Sequence, residues 1–239
     1  MLEQFEVTDQ AHQHGGQLGS GQCTRVALAK SLINEPELLA TIRALRPSRV
    51  LDLGCGEGSH VDLPGFPALA EVYPDAEIVG YEPGAAAPAP YPTCHRGGLP
   101  LPEADASFEL IAAINVLEHA HNLEPLLAEM RRLLAPGGHL LVAVPEGRAI
   151  GDRLYRLYTL IRHRRQDHLR AWSLEQWRQA IHQGTGLRYL GAIDKQENLV
   201  WAPEPLAGAG RAALRLAARH FPQQPQLFCY GYLMLWEAR

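Results

Sequence analysis

Short apolar runs alternate with stretches of helical periodicity through the middle of the chain. At 68–73 and 123–134 the apolar residues recur at three- and four-residue spacing, which predicts helices with one buried face. The runs between them are mostly apolar, as in strands covered on both faces, and lie at 49–53, 77–82, 108–114 and 139–144. Strands that alternate with helices are joined as parallel pairs by right-handed crossovers. We therefore predict an α/β fold.

Before this core, residues 1–22 are polar and glycine-rich, which predicts a flexible tail. His12 and His14 lie within it, but two imidazoles without a third ligand do not make a metal site. Helical spacing from Thr24 to Leu45 predicts two short helices that lead into the first strand.

The pattern changes again after the fourth strand. Residues 150–161 have an apolar face and predict an amphipathic helix, and Ser173 with Gln176 forms a capping box for another. Two further strands are predicted at 187–193 and 227–236. The segment between these strands contains Trp201 and a basic, apolar helix around 211–221. We expect these residues either to complete a lid or to form a dimer contact.

The composition is that of an ordinary folded domain. The chain has 239 residues, of which 46% are hydrophobic, and a formal net charge of -4. This charge provides no general field for holding nucleic acid, so nucleic acid is not an expected partner. No apolar run approaches the roughly 18 residues of a membrane span, and the first residues lack a signal-peptide pattern, so we expect a cytoplasmic protein without a membrane partner. The 4 cysteines show no C-x-x-C spacing, which favours independent thiols and no metal site.

A glycine-rich loop directly follows the first predicted strand. After Asp52, the alternating Gly54, Gly56 and Gly58 let bare backbone approach a ligand closely. Glu82 closes the next strand, where a carboxylate can accept two hydrogen bonds from a ribose diol at the carboxyl edge of a parallel sheet. Together these residues predict a ligand that carries a nucleoside.

Two familiar nucleotide-binding loops do not fit this segment. The dinucleotide fingerprint G-x-G-x-x-G requires glycine where this chain has Ser59, and no Gly-Lys-Ser/Thr follows as in a P-loop. A nicotinamide-dependent oxidoreductase is therefore a rival hypothesis that lacks its fingerprint.

Five blocks in one order resemble the class I S-adenosylmethionine-dependent methyltransferases, in the type-11/type-23 branch that acts largely on small molecules. The resemblance spans about Val50 to Pro145. The blocks are VLDLGCGEG at 50–58, GYEP at 80–83, LPLP at 99–102 with SFELI at 107–111, VLEH at 116–119, and RRLLAPGG at 131–138.

The resemblance implies a Rossmann-like methyltransferase fold. Its mainly parallel seven-stranded sheet is sandwiched by helices and has an antiparallel C-terminal strand and a helical lid. We expect a single domain over 1–239, with a cofactor-binding core at 24–145, a lid and substrate region at 146–226 and the final strand at 227–236. The implied function is transfer of a methyl group from S-adenosyl-L-methionine to a small-molecule acceptor, with O-methylation favoured, and release of S-adenosylhomocysteine.

The same resemblance implies a set of cofactor-binding residues. The glycine loop holds the methionine part, Glu82 the ribose hydroxyls, and residues near 83 and 99 flank the adenine. The full set is Asp52, Gly54, Cys55, Gly56, Gly58, Glu82, Pro83, Gly98, Leu99, Ile114 and Asn115.

Candidate catalytic and acceptor-binding residues follow the fourth strand. His119 and His121 lie where a methyl acceptor is expected, and either imidazole can act as a general base, although His119 can also serve only to pack the helix start. Arginines and aromatic residues beyond Pro145 suggest a lid that recognises an anionic acceptor, but a solvated helix face explains such arginines more often. The candidate acceptor-binding residues are Arg153, Tyr155, Tyr158, His168 and Trp172.

Three features depart from the family pattern. The stretch His95–Gly98 contains no acid to contact the adenine amino group, and Pro64 and Pro67 predict a bulged or delayed first helix after the glycine loop. The proline-rich segment 84–93 is too short for the usual helix there. These departures keep open the alternative of a catalytically weak or inactive S-adenosylmethionine-binding protein with a regulatory or interaction role.

Overall fold

The computed structural model describes residues 37–56, 60–63, 66–84, 89–161, 168–195, 213, 220, 225–227, 229 and 231–239. The predicted tail, the first lead-in helix, Trp201 and most of the 211–221 segment lie outside these residues. In chain order, the described elements are α1 (37–44), β1 (Arg49–Leu53), β2 (His60–Leu63), β3 (Phe66–Ala68), α2 (Leu69–Val72), β4 (Glu77–Tyr81), β5 (Thr93–His95), β6 (Phe108–Ile114), α3 (Leu123–Leu133), β7 (Leu134–Pro145), α4 (Ile150–Ile161), α5 (Leu174–Thr185), β8 (Arg188–Lys195), a 3-10 turn (Pro225–Leu227) and β9 (Gly231–Glu237).

The main sheet has 7 strands in the order β5-β4-β1-β6-β7-β9-β8. The first five strands of this order pair in parallel, whereas β9 pairs antiparallel with both β7 and β8. Chain order runs outward in one direction from β1 to β4 and β5, and in the other direction to β6 and β7. Such a reversal leaves a crevice at the carboxyl ends of the two central strands, where ligands bind in open α/β sheets. The predicted fold class, including the antiparallel C-terminal strand, is confirmed.

Neighbouring residues on each central strand enter opposite hydrophobic layers. Leu51 of β1 and Ile111 of β6 pack on one face with residues of α3 and α5, including Met130 and Trp177. Val50 and Leu110 instead pack on the other face, in a layer that also contains Ile42 of α1 and Leu69 of α2. Because side chains alternate along a strand, burial on both faces requires the nearly continuous apolar runs in the sequence.

The structure differs from the predicted elements in three places. After the glycine loop, β2 and β3 form an antiparallel pair, and the helix is delayed to the short α2, as the prolines at 64 and 67 suggest. Strand β7 begins at Leu134 rather than 139, because Leu134 also pairs with Phe108 across an irregular step in the register. The final strand begins at Gly231 rather than 227, since Pro225–Leu227 forms a 3-10 turn. Within the described ranges, no helix combines the length and the apolar character needed to cross a membrane.

A buried carboxylate ties α3 to the loop that precedes β6. Glu129 is 6% exposed and accepts hydrogen bonds from the Leu101 amide, at 2.7 Å, and from the Arg132 guanidinium, also at 2.7 Å. Arg132 pairs in addition with Asp105, at 2.7 Å. The hydrogen bonds from Arg132, followed by the one from the Leu101 amide, outweigh burial and hold the pKa of Glu129 below its ordinary value.

Glu129→Gln should lower the free energy of unfolding at pH 7 by about 2 kcal/mol, because hydrogen bonds to charged groups contribute about 1.5–3 kcal/mol. A carboxyl whose folded-state pKa is lowered stabilises the fold above its unfolded-state pKa and loses that effect as the pH falls through its folded-state pKa. The gap between wild type and variant should therefore narrow below about pH 4. Urea unfolding at a series of pH values measures this gap.

Glu124→Gln is the matched control, since Glu124 lies exposed in the first turn of the same helix. Its effect should stay below about 1 kcal/mol. Two results would contradict the predicted contribution of the Glu129 ion pair to stability. One is an equal loss of unfolding free energy in the two variants, and the other is a gap between wild type and Glu129→Gln that widens in acid.

Candidate functional site

The carboxyl ends of β1 and β4 are joined by the backbone of the glycine loop. The amides of Gly54 and Cys55 both donate to the carbonyl of Tyr81, at 2.7 and 3.1 Å. Gly54 has a φ of 74°, and a Cβ there would lie 2.4 Å from Cγ2 of Val116 in the turn after β6, so this position requires glycine. Gly56 also has a positive φ, of 48°, and among the described residues no atom lies within 4 Å of its Cβ position, which leaves room there for a ligand against the backbone.

Glu82 bridges the two loops at this edge. Its Oε2 accepts from the Gly56 amide at 3.2 Å, and its Oε1 accepts from the Gly84 amide at 2.9 Å. Each carboxylate oxygen has a second lone pair, so the same two oxygens can still accept from a pair of hydroxyl groups. The carboxylate is thus fixed in place and remains able to bind a diol.

The floor beneath the loop is tightly packed. Gly80 of β4 would place a Cβ 2.8 Å from the sulfur of Cys55 and 3.2 Å from that of Cys94, and these two sulfurs lie 3.6 Å apart. Burial is the main cause that raises the pKa of the Cys55 thiol, so the thiol stays protonated at neutral pH. Asp52 is completely buried and accepts from the hydroxyl of Tyr91 at 2.7 Å. Asp52 therefore holds the 89–92 loop, a contact that its place in the sequence did not reveal.

The predicted adenine side lies between β5 and the loop that follows it. Leu99 packs against the core, while Pro83 and Gly98 are exposed, and the Cβ position of Gly98 is open. The Tyr81 hydroxyl donates to the Gly97 carbonyl at 2.8 Å. An acid does lie near this stretch, because Glu103 contacts the His95 ring at 2.7 Å, but it also pairs with Arg49. Gly58 lies outside the described residues.

The end of β6 leads from the glycine loop to the histidines. Ile114 is 7% exposed, and Asn115 has a φ of 55° and donates its amide to the Ala143 carbonyl at 2.9 Å. Val116, which contacts Gly54, accepts from the amide of His119 at 3.0 Å. A single turn therefore connects the glycine loop to the candidate base.

The structure gives the two candidate bases different surroundings. The ring of His119 meets the ring of His168, with centroids 5.1 Å apart. His121 instead lines a groove of about 780 Å³ between α3 and α5, together with Arg170 and Trp172. Each candidate base thus lies with one residue of the predicted acceptor set, His119 with His168 and His121 with Trp172.

Backbone and side-chain hydrogen bonds hold the segment 168–172 across the end of β6. The Leu169 amide donates to the Glu118 carbonyl at 2.9 Å, and the guanidinium of Arg170 donates to carbonyls of the 117–121 turn. The Gly147 amide donates to the Trp172 carbonyl at 2.9 Å. A Cβ on Gly147 would lie 2.1 Å from the carbonyl carbon of Ala171, so this approach requires glycine.

The remaining candidate acceptor-binding residues are more dispersed. The rings of Trp172 and Trp177 contact each other at a tilt of 59°, with centroids 4.8 Å apart, and Arg153 is exposed on α4. Tyr155 and Tyr158 belong to the same helix, but their side chains are outside the described part of the structure. Several arginines of this region pair with acids of the chain itself: Arg148 with Glu146, Arg156 with Asp152, and Arg178 with Glu175.

Sequence reasoning missed three buried acids. Glu146 accepts from the amides of Arg148 and Leu174 and so orders the start of α5. Asp152 accepts from the His168 ring at 3.1 Å, and Glu118 lies beside His119 with 3.9 Å between carboxylate oxygen and ring nitrogen. The only available sequence signal was an acid inside an otherwise apolar helix or turn, which does not identify its partner.

The family comparison agrees with this geometry. A family model described as a methyltransferase domain matches residues 27–190, which is more than half of the chain. Among curated proteins, a trans-aconitate 2-methyltransferase of Methylobacterium nodulans is 34% identical over 119 residues. This match covers 46% of the chain and 43% of that relative, so the chain aligns with less than half of the relative's length.

Two solved structures show the same fold. The YcgJ protein of Bacillus subtilis superposes with a TM-score of 0.53 at 19% identity, covering 87% of this chain and 99% of that one. Phosphoethanolamine N-methyltransferase 2 of Haemonchus contortus, in complex with S-adenosyl-L-methionine, gives a TM-score of 0.54 at 14% identity, covering 87% and 52%. With its glycine loop, its sheet order and the matched family model, the chain belongs to the class I S-adenosylmethionine-dependent methyltransferases.

Proposed function

We propose that this methyltransferase methylates an oxygen of a small anionic acceptor, with a carboxylate as the favoured group, and releases S-adenosylhomocysteine. The observation that carries the cofactor part is the Glu82 carboxylate, which is fixed by two backbone amides at the edge where the glycine loop leaves room for a ligand. The acceptor part rests on the curated relatives, whose names specify trans-aconitate as the substrate.

We place the nucleoside part of S-adenosyl-L-methionine at the carboxyl edge of the sheet. We assign the ribose hydroxyls to Glu82 and the adenine to the surface between Pro83 and the Gly98–Leu99 segment. The methionine part is assigned to Gly54, Cys55, Gly56 and Gly58, above the floor that Asp52 helps to fix. Ile114 and Asn115 border the same crevice from β6, where the backbone of Asn115 turns away from the sheet.

The cofactor supplies an activated methyl group, so that an acceptor oxygen bonds to the methyl carbon while the carbon–sulfur bond breaks and its electron pair stays on sulfur. The contribution of the protein is then to align the acceptor with the methyl group. A carboxylate is already an anion at neutral pH, and no base has to remove a proton from it. A hydroxyl acceptor would instead have to give its proton to a neighbouring base, for which His119 is the better placed histidine.

The retained alternative is a protein that binds the nucleoside without turnover. Its support is the absence of an acid in the His95–Gly98 stretch, where relatives of this type commonly contact the adenine. Binding of S-adenosylhomocysteine combined with no methylation of any carboxylate or hydroxyl acceptor would favour this alternative.

Glu82→Ala should weaken the binding of S-adenosylhomocysteine by at least 10- to 100-fold, because even one lost charge-assisted hydrogen bond contributes about 1.5–3 kcal/mol. Glu82→Gln should fall between Ala and wild type, since the amide keeps one acceptor oxygen. Calorimetric titration of the three proteins measures this order.

Glu77 provides a control on the same strand. It lies at the opposite end of β4 and pairs with Arg49 at 2.9 Å, so Glu77→Gln changes a β4-end glutamate without touching the proposed site. Glu77→Gln should bind S-adenosylhomocysteine as tightly as wild type. The assignment of Glu82 fails if Glu82→Ala and Glu82→Gln also bind it as tightly as wild type.

A second prediction separates the two candidate histidines. With saturating S-adenosylmethionine, His119→Ala should lower turnover of a hydroxyl acceptor by about tenfold or more, because this ring lies one turn from the glycine loop, and it should affect turnover of trans-aconitate less, because a carboxylate needs no base. His121→Ala should have a smaller effect, since that ring lines the groove between α3 and α5. The measurement is initial methylation rates on trans-aconitate and on a hydroxyl acceptor, and the reverse ranking would reassign the acceptor side to the groove.

A further inference from the structure

Three metal-ligating side chains meet at the end of β6. The ligand atoms of Glu118, His119 and His168 all lie within 4.8 Å of one another. His168 is far from the other two in the sequence and reaches them through the hydrogen bond between the Leu169 amide and the Glu118 carbonyl. The sequence analysis predicted no metal site, because no short-range spacing connects these residues.

We propose that Glu118, His119 and His168 bind one divalent transition-metal ion on the acceptor side of the methyltransferase site. Two imidazoles and one carboxylate form the donor set that proteins use for iron(II) and related first-row ions with open coordination positions. Magnesium and calcium favour sets made of oxygen ligands alone, so they fit this cluster less well.

The contact of the His168 ring with the Asp152 carboxylate favours metal binding. Metal-ligating histidines usually donate their second ring nitrogen to a carboxylate, which fixes the ring and its tautomer. Nδ1 of His168 lies 3.1 Å from Oδ1 of Asp152, and this carboxylate is held by Arg156 at 2.8 Å. The Asp152 side chain is only 1% exposed, and an ion on His168 would bind at Nε2, the ring nitrogen opposite this carboxylate.

The distances between the ligand atoms are somewhat longer than those around a bound ion. Nε2 of His119 lies 3.9 Å from Oε1 of Glu118. Ligands bound at about 2.0–2.2 Å around one ion lie roughly 3–3.5 Å from each other. The three ligand atoms, which lie within 4.8 Å of one another, would therefore have to approach each other by up to about 1–2 Å to share one ion.

The exposure of the three side chains differs in a way that suits a reactive ion. Glu118 is 1% exposed and His168 11%, whereas His119 is 39% exposed. The ion would therefore be held from the buried side and keep positions open toward solvent on the side of His119, as in catalytic metal sites. An anionic oxygen of the acceptor could occupy such a position.

The role in catalysis rests on the proposed function. A bound cation would hold the acceptor carboxylate in one orientation toward the methyl group, and it would lower the pKa of a hydroxyl acceptor. Ion binding itself needs neither the nucleoside nor the acceptor, so it can be tested separately from methyl transfer.

The test uses Co²⁺ as a spectroscopic probe on protein free of any affinity tag. Titration of the wild type should give one equivalent of bound Co²⁺ with a visible ligand-field absorption band. His168→Ala and His119→Ala should each weaken this binding by at least tenfold, since each removes one of three ligands. Asp152→Asn should weaken it less, because that change affects only the orientation of His168.

His121→Ala is the matched control for metal binding, as it removes a nearby imidazole from outside the cluster and should leave Co²⁺ affinity unchanged. The thermal unfolding midpoint of every variant shows whether the fold is retained. Folded His119→Ala and His168→Ala proteins that bind Co²⁺ like wild type would overturn the proposal, as would a wild type that binds none. Neither result would bear on S-adenosylhomocysteine binding, which is measured without metal.

Discussion

The attachment of the glycine loop to the end of β4 is the contact on which the site depends. Two amides of the loop share the Tyr81 carbonyl, and the Glu82 carboxylate then joins Gly56 to Gly84. These bonds are possible because β1 and β4 run in parallel and end at the same edge. They also demand a residue without a side chain at Gly54, where Val116, in the turn after β6, lies against the loop. Three consecutive strands of the sheet are thereby locked around one crevice.

The proposed acceptor side is built from a later part of the chain. The segment 168–172 returns from α4 and is fastened to the end of β6 by backbone bonds at Leu169 and by the guanidinium of Arg170. Gly147 allows the chain after β7 to lie directly on this segment. These connections bring the buried acids Glu118 and Asp152 next to His119 and His168. The charged groups buried in this part of the protein therefore lie beside imidazole rings.

Much of the fold was predictable because its causes are local. The apolar runs of β1 and β6 match the observed bounds, and the Ser173–Gln176 capping box begins α5 as predicted. The β2–β3 pair was not predicted, since prolines exclude a helix without specifying what replaces it. The cofactor residues could be proposed because they follow two strands at fixed positions. The cluster of Glu118 with His119 and His168 could not, because long-range packing alone brings its members together.

A crystal structure of the complex with S-adenosylhomocysteine tests the central claim most directly. The account predicts that the ribose hydroxyls lie at hydrogen-bond distance, about 2.7 Å, from the two oxygens of Glu82, with the amino-acid part along the backbone of Gly54 and Gly56. The sulfur should then face the crevice beside His119. A nucleoside bound in the groove between α3 and α5, or bound without contact to Glu82, would contradict the account.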